Sequence, residues 1–157
     1  MQNAYSRSSR RASILRLAGF LSVAALITLM TLSPAQHASA ADSEIEGVVT
    51  ARQQSAAGEM VLIDIRRPEE WQESGVPDTA IALDMTAKDF LPRLQEVIEQ
   101  NPDKRLGLIC AVGSRSRYLA DWLNRQGVKN VVNVSAGVHG RNGWLANKLP
   151  VRKPDGS

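Results

Sequence analysis

Cysteine, histidine and aromatic residues are scarce in this chain of 157 residues. It has one cysteine, Cys110, and two histidines, while phenylalanine, tryptophan and tyrosine together make up 4% of the residues. A single cysteine excludes an internal disulfide, and the lack of a second cysteine or of a histidine pair at ligand spacing argues against a metal site. We therefore expect no metal and no cofactor, and a free thiol that needs a chemical explanation.

The first 40 residues are typical of a secretory signal peptide. The first 16 contain four arginines and no acidic residue, and residues 17–32 form an uncharged, largely apolar run. Ala38 and Ala40 occupy the two small-residue positions that a signal peptidase reads, so we expect cleavage after Ala40. The alternative is an uncleaved membrane anchor, for which this run is slightly shorter than the roughly 20 residues that span a bilayer. The segment also contains an arginine pair, which leaves both Sec and twin-arginine export open.

Removal of this segment changes the charge balance of the chain. The full sequence has 19 basic and 16 acidic residues; four of the basic ones lie in the leader, so residues 41–157 carry 15 basic and 16 acidic residues. A net charge near −1 gives no support for binding to nucleic acid. We expect residues 41–157 to form one domain that is periplasmic or otherwise exported and not embedded in a membrane.

Cys110 lies between a predicted strand and a predicted helix. The apolar run 106–109 is too short for a helix and fits a buried strand. From Ser116 to Gly127 the apolar residues recur with a helical period. The predicted stripe of this helix comprises Tyr118, Leu119, Trp122 and Leu123. A cysteine at the carboxyl end of a strand, just before a helix, occupies the position where open α/β sheets bind ligands.

The loop after Cys110 is suited to holding an anion. The free N–H groups at the start of a helix, a tight turn at Gly113 and the charge of Arg115 all favour a thiolate. We therefore expect an accessible thiol whose pKa is below the ordinary value of about 8.5. The alternative is a small buried core cysteine, which would need neither this glycine nor this arginine.

The remainder of residues 41–157 alternates between strand and helix patterns. Strands are predicted at 46–50, 60–65, 80–83 and 130–134, and helices at 51–57, from Pro68 onward and up to Gln100. Thr86 and Asp89 are typical of a capping box for the last of these helices. Its predicted buried face comprises Phe90, Leu91, Leu94, Val97 and Ile98. Such alternation predicts an α/β fold with a parallel sheet that is covered on both faces.

Three stretches resemble the signatures of rhodanese-type sulfurtransferases. Residues 110–116 resemble the active-site loop Cys-x-x-Gly-x-Arg-Ser, residues 64–71 resemble Asp-x-Arg-x-x-x-Glu-aromatic, and residues 134–151 resemble the closing signature of glycines, Trp and Leu-Pro-Val. The resemblance implies a three-layer α/β fold, with a parallel sheet of about five strands and helices on both faces. It also implies transfer of sulfane sulfur from a small donor to a thiol or cyanide-like acceptor through a cysteine persulfide.

The resemblance also implies roles for individual residues. Cys110 would be the nucleophile, and the loop that follows would hold the donor and the persulfide. This substrate-binding loop comprises Ala111, Val112, Gly113, Ser114 and Arg115. Arg115 would also fix the loop, and Ser116 would support it. Asp64 and Arg66, at the end of the neighbouring strand, would form either a structural ion pair or a substrate contact, and we favour the ion pair.

The chain departs from the family pattern in three places. Ala111 follows the cysteine where family members often have a basic residue, which disfavours thiosulfate as the natural donor. Residues 74–80 lack the histidine that is usual after the first signature. Residues from His139 to Asn142 form an insertion of about three residues, which is expected to lengthen a loop near the site. We predict that His139 is a loop residue and not a catalytic base.

Two other functions stay open at this stage. The first is an exported sulfur carrier, or a persulfide-binding module, that serves a protein partner. The second is a phosphatase or an oxyanion reductase on the same fold. Related phosphatases place an arginine six residues after the cysteine, but here that position is Ser116, between Arg115 and Arg117. The smaller loop leaves little room for three phosphoryl oxygens, so we disfavour this second class.

Overall fold

The computed structural model describes residues 43–154. The expected signal peptide lies outside these residues. In chain order the elements are β1 (Glu44–Glu46), α1 (Val48–Ala56), β2 (Met60–Asp64), α2 (Pro68–Ser74), β3 (Val76–Pro77), β4 (Ala80–Ala82), α3 (Phe90–Gln100), β5 (Arg105–Ile109), α4 (Ser114–Arg125), β6 (Val131–Val134) and β7 (Val151–Arg152). Between residues 43 and 154, no helix is long and apolar enough to cross a bilayer.

Five of the strands form the expected parallel sheet, in the order β1-β6-β5-β2-β4. All four pairings in it are parallel. The register places Asp64 of β2 beside Ile109 of β5, and Leu108 of β5 beside Asn133 of β6. The carboxyl ends of β2, β5 and β6 therefore meet at one edge. The two remaining strands, β3 and β7, form a separate antiparallel sheet that the sequence analysis did not predict.

The side chains of the sheet alternate between two apolar clusters. Leu62 and Val132 belong to the cluster that includes Trp71 of α2 and residues of α1, whereas Ile63 and Leu108 belong to the cluster formed with α3 and α4. Successive residues of a strand point to opposite faces, so the two clusters lie on opposite sides of the sheet. The expectation of a three-layer α/β fold is confirmed.

The first strand and helix begin earlier than predicted. The strand ends at Glu46, Gly47 is the N-cap, and the helix already includes Val48. Val48 and Ala51 lie on the same side of the helix and are both buried. Burial of this face outweighs the β propensity of the valines, which had favoured a strand over 46–50.

The predicted capping box before α3 is wrong. Thr86 donates both its N–H and its hydroxyl to Asp84 Oδ1, each at 2.8 Å, so it closes a turn and does not cap the helix. The helix begins at Phe90, after Asp89, whose side chain makes no capping bond. Leu91, predicted to be buried, is 53% exposed. It lies beside the stripe of Phe90 and Leu94 that packs on the sheet.

The buried face of α4 also differs from its prediction. Ser116, Leu119, Ala120 and Leu123 are buried, whereas Tyr118 is 68% exposed. These buried positions recur every three or four residues, and Tyr118 lies about 100° from Leu119 around the helix. Tyr118 is therefore a surface residue on the helix that begins at the cysteine loop.

Candidate active site

The loop that carries Cys110 is shorter than the sequence indicated. Cys110 directly follows β5, and α4 begins at Ser114, so only four residues separate the two elements. Gly113 is the N-cap and has a φ of 95°, a left-handed conformation that glycine adopts without strain. The left-handed turn reverses the chain and brings the start of α4 back over the sulfur atom.

Hydrogen-bond donors from the helix start lie against the sulfur. Gly113 N–H donates to Cys110 Sγ at 3.2 Å, and the Ser116 hydroxyl lies 3.4 Å from the same atom. Burial raises the pKa of the Cys110 thiol, but donation by the Ser116 hydroxyl and by the N–H groups of Ser116, Val112 and Gly113 outweighs it, so the pKa is lowered. The arrangement stabilises a thiolate.

The expectation of an accessible thiol is not met in this conformation. Cys110 has no exposed surface, while Val112, two residues later, is 57% exposed. Ala111 is half-buried, and Ser114 is exposed. The loop thus directs backbone N–H donors toward the sulfur, while its Val112 and Ser114 side chains are exposed.

The segment after β6 holds the opposite side of the loop. Val138 N–H donates to the Cys110 carbonyl at 2.9 Å, and His139 N–H donates to the Ala111 carbonyl at 2.7 Å. Gly137, with a φ of 58°, lies against these two carbonyl groups, where a side chain would have no room. With their carbonyls bound on this side, the loop residues can direct N–H groups toward the sulfur.

Arg115 is held by a carboxylate from α2. Its Nη1 and Nη2 donate to Glu70 Oε2 and Oε1 at 2.9 and 2.6 Å, and Oε2 also accepts the Arg67 N–H at 3.1 Å. The Arg115 hydrogen bond is the main cause that lowers the pKa of Glu70, and the Glu70 hydrogen bond is the main cause that raises the pKa of Arg115. Arg115 therefore ties the loop to α2. Glu70 belongs to the first signature, residues 64–71, but the sequence did not indicate that Arg115 is its partner.

Asp64 and Arg66 form an ion pair with no exposed surface on either side chain. Arg66 Nη2 lies 2.7 Å from Asp64 Oδ2, and the same guanidinium donates to the Gly75 carbonyl and to the Ser74 hydroxyl. Ile65 N–H donates to the carbonyl of Ile109, the residue before the cysteine. The pair therefore lies beside the base of the loop, where it contacts protein atoms on all sides.

His139 occupies the space between the loop and the end of α2. Its backbone N–H binds the Ala111 carbonyl, and its Nε2 lies 3.3 Å from Ser74 Oγ and 3.4 Å from Arg66 Nη1. The rest of the insertion folds back in a tight turn, in which Gly140 N–H donates to the Ala136 carbonyl at 2.9 Å. The insertion thus packs beside the site and leaves Asn142 exposed.

Asn133 is a site residue that the sequence reasoning missed. It lies on β6, is 4% exposed, and its Oδ1 is 2.8 Å from the Ser116 hydroxyl. The signal that could have identified it is a polar residue within the valines of a buried strand. Within residues 43–154, no three histidine, cysteine or acidic side chains come together in a way that could hold a metal ion.

Comparisons with known proteins agree with this geometry. The Rhodanese-like domain family matches residues 48–144. An uncharacterized protein from Rickettsia prowazekii is 33% identical over 98 residues, which cover 57% of this chain and 80% of the relative. A sulfurtransferase from Allochromatium vinosum is 28% identical over 115 residues, covering 73% of this chain and 98% of that protein. The polysulfide-sulfur transferase from Wolinella succinogenes has the same fold, with a TM-score of 0.58 at 22% identity, over 73% of this chain and 81% of that one.

The parallel sheet, with helices on both faces and a cysteine loop at its carboxyl edge, defines this protein as a three-layer α/β domain. This chain belongs to the rhodanese-like family.

Proposed function

We propose that this protein is a sulfurtransferase that carries sulfane sulfur on Cys110, from a small donor to a thiol or cyanide-like acceptor. The observation that supports this most directly is the set of donors around the sulfur. Gly113 N–H and the Ser116 hydroxyl both lie within hydrogen-bond reach of Sγ, and the pKa of the thiol is lowered despite its burial. A thiolate is the nucleophilic form of cysteine, so this site needs no separate general base.

The proposed reaction has two substitutions at sulfur. In the first, the Cys110 thiolate attacks the outer sulfur of the donor; a new S–S bond forms, the donor's bond to that sulfur breaks, and the leaving group departs with the electron pair. In the second, the acceptor thiolate or cyanide attacks the outer sulfur of the persulfide, and Cys110 leaves as the thiolate. No net oxidation of the protein occurs. The loop N–H groups stabilise the anion in both states.

The surroundings of the sulfur favour a persulfide or a polysulfide over thiosulfate as the donor. Thiosulfate carries two negative charges, and Ala111 supplies no cation beside the cysteine. The loop cation, Arg115, is paired with the Glu70 carboxylate, which offsets its attraction for a doubly charged donor. The transferred sulfur is a single terminal atom in both kinds of donor, so the charge of the donor and not the width of its outer sulfur is the basis of this choice. The names of the sulfurtransferase and polysulfide-sulfur transferase among the similar proteins are consistent with this choice.

The same ion pair disfavours a phosphatase. A phosphate-binding loop uses its arginine to contact phosphoryl oxygens, but both terminal nitrogens of Arg115 donate to Glu70, at 2.6 and 2.9 Å. With this bidentate pair in place, only the guanidinium donors that Glu70 does not use are left to contact a phosphate.

We also propose that the protein acts outside the cytoplasm after cleavage behind Ala40. The proposal rests on the arginine-rich start, the apolar run and the small residues at positions 38 and 40. Amino-terminal sequencing of the protein from the periplasmic fraction should begin at Ala41. Full-length protein in the membrane fraction would instead support an anchor.

Intact mass spectrometry tests the proposed sulfur transfer. The exported protein is incubated with glutathione persulfide or thiosulfate, and we expect a gain of about 32 Da that cyanide removes as thiocyanate. Cys110→Ser should gain no sulfur under the same conditions. A persulfide that forms but is passed on to neither cyanide nor small thiols would favour the carrier function. Absence of the mass gain with both donors would contradict the proposal.

A further inference from the structure

The Ser116 hydroxyl has more acceptors than it has protons. Its Oγ lies 2.8 Å from Asn133 Oδ1, 3.2 Å from the Gly113 carbonyl and 3.4 Å from Cys110 Sγ. A serine hydroxyl carries one proton, so it can donate fully to only one of these atoms. Whether Cys110 receives that proton therefore depends on the other two groups.

The Gly113 carbonyl is the weaker competitor. It already accepts the N–H of Arg117 at 3.1 Å, the first helical bond of α4. The choice for the Ser116 proton is therefore chiefly between the sulfur atom and the side chain of Asn133.

Asn133 can act on Ser116 in two opposite ways. With its oxygen toward Ser116, as in this structure, it accepts the hydroxyl proton and leaves the sulfur without it. A half-turn of the carboxamide exchanges oxygen and nitrogen, so that the amide donates to Ser116 Oγ and the hydroxyl proton is free for the sulfur. A thiolate is a charged acceptor, and hydrogen bonds to charged groups are roughly twice as strong as neutral ones. Ionisation of Cys110 therefore favours the second orientation.

Because both residues are buried, the orientation of the Asn133 carboxamide affects where the Ser116 proton goes. Ser116 has no exposed surface, and Asn133 is 4% exposed, so bulk water does not readily replace either partner. Asn133 is also fixed in register on a central part of the sheet, opposite Leu108 of β5. Its side chain therefore stays at one distance from Ser116 while the carboxamide turns.

We propose that Asn133 is a positioning residue for the nucleophile: its amide N–H donates to Ser116 Oγ and thereby directs the single hydroxyl proton of Ser116 to Cys110 Sγ. The proposal deepens the function proposed above, because it assumes that Cys110 works as a thiolate. Asn133 itself does not contact the sulfur. It acts through Ser116, and the loss of either residue should weaken the same hydrogen bond.

Ultraviolet absorbance of the thiolate during a pH titration tests this directly. The chain has a single cysteine, so subtraction of Cys110→Ser removes every other absorbing group, and the buried sulfur needs no access to a reagent. We expect Asn133→Leu to raise the pKa of Cys110 by a few tenths of a unit up to about one unit, the effect of one net hydrogen bond. Ser116→Ala should raise it by a similar or larger amount.

The double variant Ser116→Ala/Asn133→Leu shows whether Asn133 acts on Cys110 through Ser116 or independently of it. Because Asn133 acts through Ser116, Asn133→Leu should add no further shift in the Ser116→Ala background. Asn101→Leu is a matched control: Asn101 is a partly buried asparagine that donates to the Val97 carbonyl at the end of α3, and its loss should leave the thiol titration unchanged. If Asn133→Leu does not fold, Asn133→Ala takes its place, with circular dichroism as the criterion.

Three results would overturn the proposal. A lower pKa in Asn133→Leu would mean that Asn133 withdraws the proton from the sulfur. An unchanged pKa would mean that it has no effect, and an equal shift in both backgrounds would mean that it does not act through Ser116. The titration requires no sulfur transfer, so the relay and the proposed function can fail separately. The function fails if no persulfide forms, whatever the titration shows.

Discussion

Replacement of Gly137 by alanine should have two effects. It should strain the backbone at residue 137, and it should also distort the cysteine loop that lies against this residue. A Cβ at this position would overlap the Cys110 carbonyl oxygen and would lie 2.6 Å from both the carbonyl carbon and the oxygen of Ala111. These are backbone atoms, which cannot rotate away as a side chain can. Either Gly137 or the loop must move, and the loop carries the N–H groups that surround the sulfur.

The magnitude follows from two contributions. Alanine at a φ of 58° has a left-handed backbone, which costs about 1–2 kcal/mol. Overpacking a filled region adds about 1–3 kcal/mol. We therefore expect Gly137→Ala to lower the free energy of unfolding by about 2–5 kcal/mol, with a clear loss of sulfur transfer at temperatures where the variant stays folded.

Gly58→Ala separates strain from overlap. Gly58 has a φ of 76°, and a Cβ there would meet no atom within 4 Å. It should therefore show only the cost of backbone strain, about 1–2 kcal/mol, and should retain full activity. Urea unfolding of both variants gives the comparison. If Gly137→Ala proved no less stable than Gly58→Ala and equally active, the close packing of this turn on the loop would not matter.

Two further predictions concern the charges at the loop. Glu70→Gln should reduce sulfur transfer because it releases Arg115, while lowering the free energy of unfolding by only about 0.2–1 kcal/mol. The control is Asp78→Asn, which breaks the 2.7 Å ion pair with Arg52 and should lower the free energy of unfolding by a similar amount without affecting transfer. Equal activities of the two variants would contradict the role of Glu70 in supporting the loop. The folded pKa of Glu70 is lowered, so its contribution to stability is present above about pH 4.3 and is lost as the pH falls through the folded value. Urea unfolding curves of the native protein and Glu70→Gln should therefore converge in acid. Finally, the native protein should not hydrolyse an aryl phosphate, measured by release of the phenolate; hydrolysis that disappears in the Cys110 variant would favour the phosphatase function.

The strand, loop and helix around Cys110 were predictable because local patterns determine them. An apolar run that is too short for a helix, a glycine three residues after the cysteine and apolar residues at helical spacing each act within a few positions of the chain. The same local patterns predicted the alternation that leads to a parallel sheet covered on both faces. Tyr118 and Leu91 show the limit of this reasoning, because apolar character does not say which side of a helix meets the sheet.

Long-range contacts decided the rest of the site. Glu70 is 45 positions from Arg115, and Asn133 is 17 from Ser116. Neither pairing leaves a periodic signal in the sequence, because each depends on which strands become neighbours and in what register. The turn at Gly137 depends on the same kind of contact, since it follows β6, whose pairing with β5 brings it against the cysteine loop.

The sequence by itself therefore determined which residue is the candidate nucleophile and what kind of local structure presents it. A lone cysteine at the end of a strand, with a glycine and an arginine behind it, was enough to predict an anion-stabilising loop. Only the tertiary structure decided that the sulfur is buried, that Arg115 is paired with Glu70, and that Asn133 lies within hydrogen-bond distance of Ser116. Local conformational preferences act between neighbours along the chain, whereas burial and hydrogen-bond partners depend on packing between segments that the fold brings together.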